Sequence, residues 1–138
     1  MIKCGLYEMD ITPSLGLEIP GHFALRPAQS IWEKLYCHAS YFENDTGKVV
    51  IISSDTITIP DRIVDKTRSA IAEKLNMPSE AVLLCATHTH YGGPVETWGD
   101  FVHLNDSYVK LLSERFIDSA KSTKAQKMKT VTMQIKRQ

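Results

Sequence analysis

Residues 49–86 read VVIISSDTITIPDRIVDKTRSAIAEKLNMPSEAVLLCA, and their patterning decides the fold. Val49 to Ser53 is a continuous apolar run rich in β-branched residues, as expected of a buried strand. Asp61 follows as a candidate helix cap, and Ile63, Val64, Thr67, Ile71 and Leu75 recur at helical spacing. Asn76 and Pro78 stop that helix. Ala81 to Ala86 is a second continuous apolar run. Strand, helix and strand in about forty residues make a parallel crossover unit, whose strands are expected to be covered on both faces.

Outward from this unit the chain keeps the same character. Leu35 to Phe42 reads as a strand, and the Asn44-Asp45-Thr46-Gly47 turn joins it to Val49–Ser53 as a hairpin. Residues 2 to 9 alternate, with Ile2, Cys4 and Leu6 expected on one face against Lys3, Gly5 and Tyr7. From Thr12 to about Glu33 the chain carries Pro13, Gly16, Pro20, Gly21 and Pro27, a long irregular segment of the kind that usually has a function. A second such loop runs from Thr87 to Asn105 and holds Gly92, Gly93, Pro94 and Gly99. Asp106 or Asn105 caps a second helix with Tyr108, Leu111, Leu112, Phe116 and Ile117, and Thr130 to Ile135 alternates as a last strand. The expected fold is α/β: one domain over residues 1–138, a mixed sheet with a parallel strand-helix-strand unit, and two long functional loops.

Composition narrows the class. With 138 residues, 43% hydrophobic and 23% charged, the chain is neither disordered nor collagen-like. Lys and Arg balance Asp and Glu at 16 each, which removes the global argument for a nucleic-acid partner. That balance hides a split: every acid precedes Ser119, whereas Lys121, Lys124, Lys127, Lys129, Lys136 and Arg137 follow it. The basic end reads as a solvated surface or one facing an acidic remainder. Cys4, Cys37 and Cys85 form no metal-binding spacing and read as buried reduced thiols. The N-terminus lacks the apolar core of a secretory signal, and no apolar run reaches the ~18 residues of a membrane span. A soluble, cytoplasmic protein is expected.

The chemistry concentrates in Ala86-Thr87-His88-Thr89-His90-Tyr91-Gly92-Gly93-Pro94. Two histidines two residues apart in extended chain project to the same side. They follow a buried parallel strand, and ligands bind beyond the carboxyl ends of such strands. Asp55 closes the neighbouring parallel run, so its carboxylate is expected on the same rim. Imidazoles with a carboxylate suit Zn²⁺, and a carboxylate behind a ligating ring orients it. His88 and His90 are therefore the candidate metal ligands, with His90 and Asp55 the candidate catalytic residues. As histidines capping a loop, the pair would have no such role. A catalytic zinc takes three protein ligands and an open position, and these residues alone supply no third with equal claim.

At these residues the sequence resembles the N-terminal part of the neutral/alkaline (non-lysosomal) ceramidase family. Asp10-Ile11-Thr12-Pro13 with Leu15-Gly16 and Gly21, the Leu35-Tyr36 to Ala39 stretch leading to Val49–Asp55, and Pro78–Val82 followed by Ala86–His90 carry the resemblance in order, over about residues 2 to 120. It implies a zinc-dependent amidase cleaving the N-acyl bond of ceramide or a related small-molecule or lipid amide. His88 matches the first histidine of the family's THTHSGP motif and would be a direct zinc ligand. His90 matches the second, which lies close to the metal. Tyr91 stands where the family has serine, an extra glycine precedes Pro94, and Trp32 falls near a family histidine. His38 stands where Arg or Lys is common. The family's other ligands come from much later in a longer chain, so this chain reads as an N-terminal portion or a reduced relative.

Other candidates rank lower. His22 and His103 lie in the two loops and are the alternatives for completing a metal site, within one chain or across a homo-oligomer. Trp32 and Trp98 suit the walls of an apolar pocket or the anchoring of their loops. Arg26 suits an anionic group, and His38 reads as a packed or edge strand residue. A non-catalytic α/β binding or assembly module that keeps the motif as scaffold is the alternative reading.

Overall fold

The computed structural model describes residues 1–126 and 128–132. The elements run β1 (Ile2–Asp10), β2 (Tyr36–Glu43), β3 (Lys48–Ser54), α1 (Asp61–Leu75), β4 (Val82–Ala86), α2 (Asp106–Ala125) and β5 (Lys129–Val131). One five-stranded sheet has the order β4-β3-β2-β1-β5, with β3 and β4 parallel and every other pair antiparallel. The chain is α/β with a mixed sheet, as its sequence predicts. Of the expected last strand, β5 ends at Val131, and residues 133–135 lie outside the described part, as do Lys127, Lys136 and Arg137.

Local chemistry explains the joints. The β2–β3 turn is pinned by the Asn44 side chain, which accepts from the backbone N–H groups of Thr46 and Gly47, each at 2.9 Å. Helix α1 departs from expectation at its start: Pro60 holds the cap position without a side-chain hydrogen bond, and Asp61 sits inside the first turn. Proline suits that boundary because its fixed φ needs no donor, and Asp61 still complements the positive end of the helix. Asn76 closes α1 in the left-handed conformation. Helix α2 is capped by Asn105, whose side chain accepts from Tyr108 N–H at 2.9 Å.

Both helices pack on one face of the sheet. Cys37, Ala39, Tyr41, Val50, Ile52 and Val82 meet Ile63, Ile71, Leu112 and Phe116 in a single buried core. The face assignment of β1 is the reverse of the one expected. Gly5 is buried whereas Leu6 is 62% exposed. A Cβ at Gly5 would collide with the backbone carbonyl of Thr123, so α2 crosses β1 most closely where no side chain intervenes. The covering of the parallel pair on both faces is likewise not found among the described residues. Leu6, Ser40, Ile51 and Leu83 form a row across four strands on the face away from the helices, and Leu83 is 54% exposed. Of the three free cysteines only Cys37 is buried; Cys4 and Cys85 are half-buried. Among the described residues no helix is long and apolar enough to cross a membrane.

The Asp10-Ile11-Thr12 segment anchors the first loop. Asp10 accepts from Thr12 N–H at 2.9 Å and pairs with Lys34 at 2.9 Å, while Leu35 N–H donates to the Thr12 hydroxyl at 3.0 Å. Ile11 is fully buried and its N–H donates to Leu35 O. These bonds close the mouth of the loop at the same sheet end where β3 and β4 finish.

Candidate functional site

The chain leaves β4 alongside the extension of β3. Thr87 N–H donates to Ser54 O at 2.9 Å and His88 N–H to Thr56 O at 3.1 Å. His88 then adopts φ +63, one of only two non-glycine positive φ values among the described residues. That conformation costs roughly 1–2 kcal/mol for a residue with a Cβ and persists where the surroundings fix it. What fixes it here is visible: His88 Nδ1 lies 2.8 Å from Ile57 O. A carbonyl only accepts, so Nδ1 carries a proton, and in the neutral ring Nε2 keeps its lone pair.

The glycines after the histidines seat the loop. A Cβ on Gly93 would come within 2.5 Å of the Tyr108 ring, and one on Gly92 within 3.2 Å of Asp55 O. Tyr108 is buried there, donates its hydroxyl to Ile11 O at 2.9 Å, and has its phenol pushed up by burial. The bare Gly93 thus lets the histidine loop pack against Tyr108 of α2.

His22 joins the pair. The ring of His90 lies 5.2 Å from that of His88 and 5.7 Å from that of His22, both edge-on. A side chain at Gly21, which has φ +102, would strike the His90 side chain at 2.5–2.9 Å, so the first loop reaches the imidazole only because Gly21 is bare. The three histidines, with Phe23, Trp98 and Phe101, line a cavity of about 340 Å³. His22, one of the two loop histidines that the sequence offers for completing a metal site, is thus brought beside His90, and the preceding Gly21 marks the close backbone approach. Trp98 walls this cavity, and Trp32 walls a different groove.

Asp55 lies on the same rim, where its carboxylate accepts from Tyr36 N–H at 3.0 Å and from the Thr87 hydroxyl at 3.3 Å. The group orienting His88 is the Ile57 carbonyl. His103 bonds the Glu18 carboxylate, with Nδ1 at 2.9 Å and its backbone N–H closing on the same group, and so ties the two loops together. That hydrogen bond holds the Glu18 carboxyl below its usual range. His38 is exposed on β2, 3.7 Å from Glu8.

The donor chemistry fits part of a zinc site. A ring whose Nδ1–H is held by a carbonyl and whose Nε2 is free is the usual state of a zinc-ligating histidine. Among the described residues, however, no group of three or more His, Cys, Asp or Glu side chains is arranged to hold a metal.

No family model matches this chain, and no curated protein does. Its fold does match solved structures. The neutral ceramidase of Pseudomonas aeruginosa superposes with a TM-score of 0.75 at 21% identity, over 90% of this chain and 21% of that one. A ceramidase complexed with C2 gives a TM-score of 0.76 at 21% identity, with the same coverage. The chain therefore has a ceramidase-like fold and spans about a fifth of the length of the structures it matches.

Proposed function

We propose that this chain supplies one side of the metal site of a zinc-dependent hydrolase of N-acyl amides, ceramide or a related compound being the substrate class. The observation that carries the reading is His88: a strained backbone, a fixed Nδ1–H and a free Nε2 beside His90, at the carboxyl end of a parallel pair. Zinc, when bound, supplies polarisation of an amide carbonyl and activation of water. His88 and His90 would hold it, with the remaining donors contributed by a longer polypeptide of which this chain is the N-terminal portion.

The chain's own groups do the rest. Ile57 O keeps His88 in one tautomer. His90, wedged between His88 and His22, shapes the entrance. Asp55 acts as a positioning residue, joining the start of β2 to Thr87 so that the histidine loop leaves β4 at a fixed angle. Phe23, Trp98 and Phe101 line the cavity and offer apolar contact to an acyl group. Three unpaired cysteines suit a reducing, cytoplasmic setting.

Zinc per chain, measured by elemental analysis with and without His88→Ala, tests this reading. Weak, substoichiometric zinc that disappears in the variant is expected. Stoichiometric zinc lost in the variant would mean that His22 completes a self-contained site. Zinc content indifferent to His88 would sink the metal hypothesis. The absence of a third arranged donor among the described residues favours one second reading, an assembly module that keeps the motif as scaffold; that reading expects no specific zinc at all.

A further inference from the structure

Beside the imidazole cavity, the first loop and the histidine loop enclose a second groove of about 890 Å³, a size typical of small-molecule sites. Thr89 and Tyr91, which alternate with His88 and His90, contribute to it. Its walls include Ile19, Leu25, Ile31 and Trp32, the last 93% exposed. A large exposed indole on a groove wall has nothing of this chain to cover it among the described residues.

Arg26 brings charge to this apolar groove. Its Nη2 donates to His90 O at 2.7 Å, its guanidinium carbon lies 5.3 Å from the centroid of the Tyr91 ring, and its Nε is buried without a partner. Among the described residues none of the ion pairs involves it. A half-buried guanidinium without a counter-charge is costly, and its fork geometry matches a carboxylate. Among the described residues Arg26 is the one cationic side chain on the groove wall, so a single anionic head is what it can meet there. Glu33, also on the wall, disfavours a second.

We propose that this groove binds a monoanionic amphiphile, a carboxylate on an aliphatic chain, with the chain along Leu25, Ile31 and Trp32 and the head at Arg26. The site stands on the groove alone; it rests on the hydrolase reading in one respect, that hydrolysis of an N-acyl amide releases such an acid. Because Arg26 also holds the carbonyl of His90, an occupant would touch the histidine loop from behind.

The test uses the metal-free chain in chelator, with Trp98→Phe so that Trp32 is the single tryptophan. Sodium decanoate below its micellar concentration is titrated against Trp32 fluorescence, with 1-decanol and decylamine in parallel. Saturable binding at least tenfold tighter for decanoate than for decanol is expected, and Arg26→Gln should erase that preference while Arg26→Lys keeps part of it. Arg26→Gln also removes a loop contact, so Ile31→Glu provides an independent arm. It lies on an exposed wall and should weaken decanoate more than tenfold with an unchanged circular dichroism spectrum. Equal affinity for decanoate and decanol, a preference that survives Arg26→Gln, or no saturable response would overturn the proposal. Since no zinc is present, binding here outlives a failure of the hydrolase reading, and zinc bound without decanoate preference sinks this proposal alone.

Discussion

At the scale of single residues, the site is built from backbone constraints as much as from side-chain chemistry. His88 occupies a left-handed conformation that glycine adopts freely and alanine does not. His88→Gly should therefore be more stable than His88→Ala by about 1 kcal/mol, reversing the usual order of the two residues. Urea denaturation of both variants checks this, and both should lose zinc alike. Gly93 makes the complementary case. Its bare Cα faces the Tyr108 ring, so Gly93→Ala should cost on the order of 1–3 kcal/mol by forcing the ring or the loop to shift. Equal midpoints for wild type and Gly93→Ala would show that the loop is not seated as described. The motif itself was legible in the sequence, because two histidines, glycines and a proline after an apolar run carry their own pattern. His22 was legible only as one of two loop histidines that could complete the site, since a contact across 68 positions leaves no periodic trace.

At the scale of elements, periodicity identified both helices and the strands but gave β1 the wrong face. Ile2, Cys4 and Leu6 alternate as well as Gly5, Tyr7 and Met9 do, and hydrophobicity alone favours the first set. The second set faces the core because α2 needs close approach at Gly5 more than it needs another leucine. The same blindness affects helix α1, where Asp61 carries the preferred capping side chain yet Pro60 holds the position. These faces set opposite expectations for neighbouring residues. Gly5→Ala must displace the helix backbone at Thr123 and should destabilise by about 1–3 kcal/mol. Leu6→Ala, on the exposed face, should change stability by no more than ~0.5 kcal/mol. Chemical unfolding of the pair distinguishes this arrangement from the alternation read off the sequence, which expects the reverse order.

At the scale of the whole molecule, the two loops that make the cavity are assembled on one end of the sheet by polar ties. Asp10, Thr12 and Lys34 close the base of the first loop, and Glu18 with His103 joins it to the second. Hydrogen bonds from Thr12 and Lys34 hold the Asp10 carboxyl well below its ordinary range, at about 2. A carboxyl with a lower pKa in the folded chain makes unfolding take up a proton, so its contribution is full above the ordinary carboxylate pKa. That contribution must then fade as pH falls toward 2. Because the Asp10–Lys34 pair is solvent-accessible, its direct contribution at neutral pH is small. The expected consequence lies in docking the loop: closing its base should hold Gly21 and His22 against His90 and Arg26 against its carbonyl. Asp10→Asn should therefore be less stable than wild type at pH 7, with the difference shrinking below about pH 4 and gone near pH 2. Amide hydrogen exchange across residues 12–35 should quicken in the variant at neutral pH, whereas β3 and α2 should stay protected. A stability difference that is constant from pH 7 to pH 2 would mean that the Asp10 charge does not fasten the loop. The cavity would then owe its shape to the packing of Gly21, Gly93 and the aromatic walls alone.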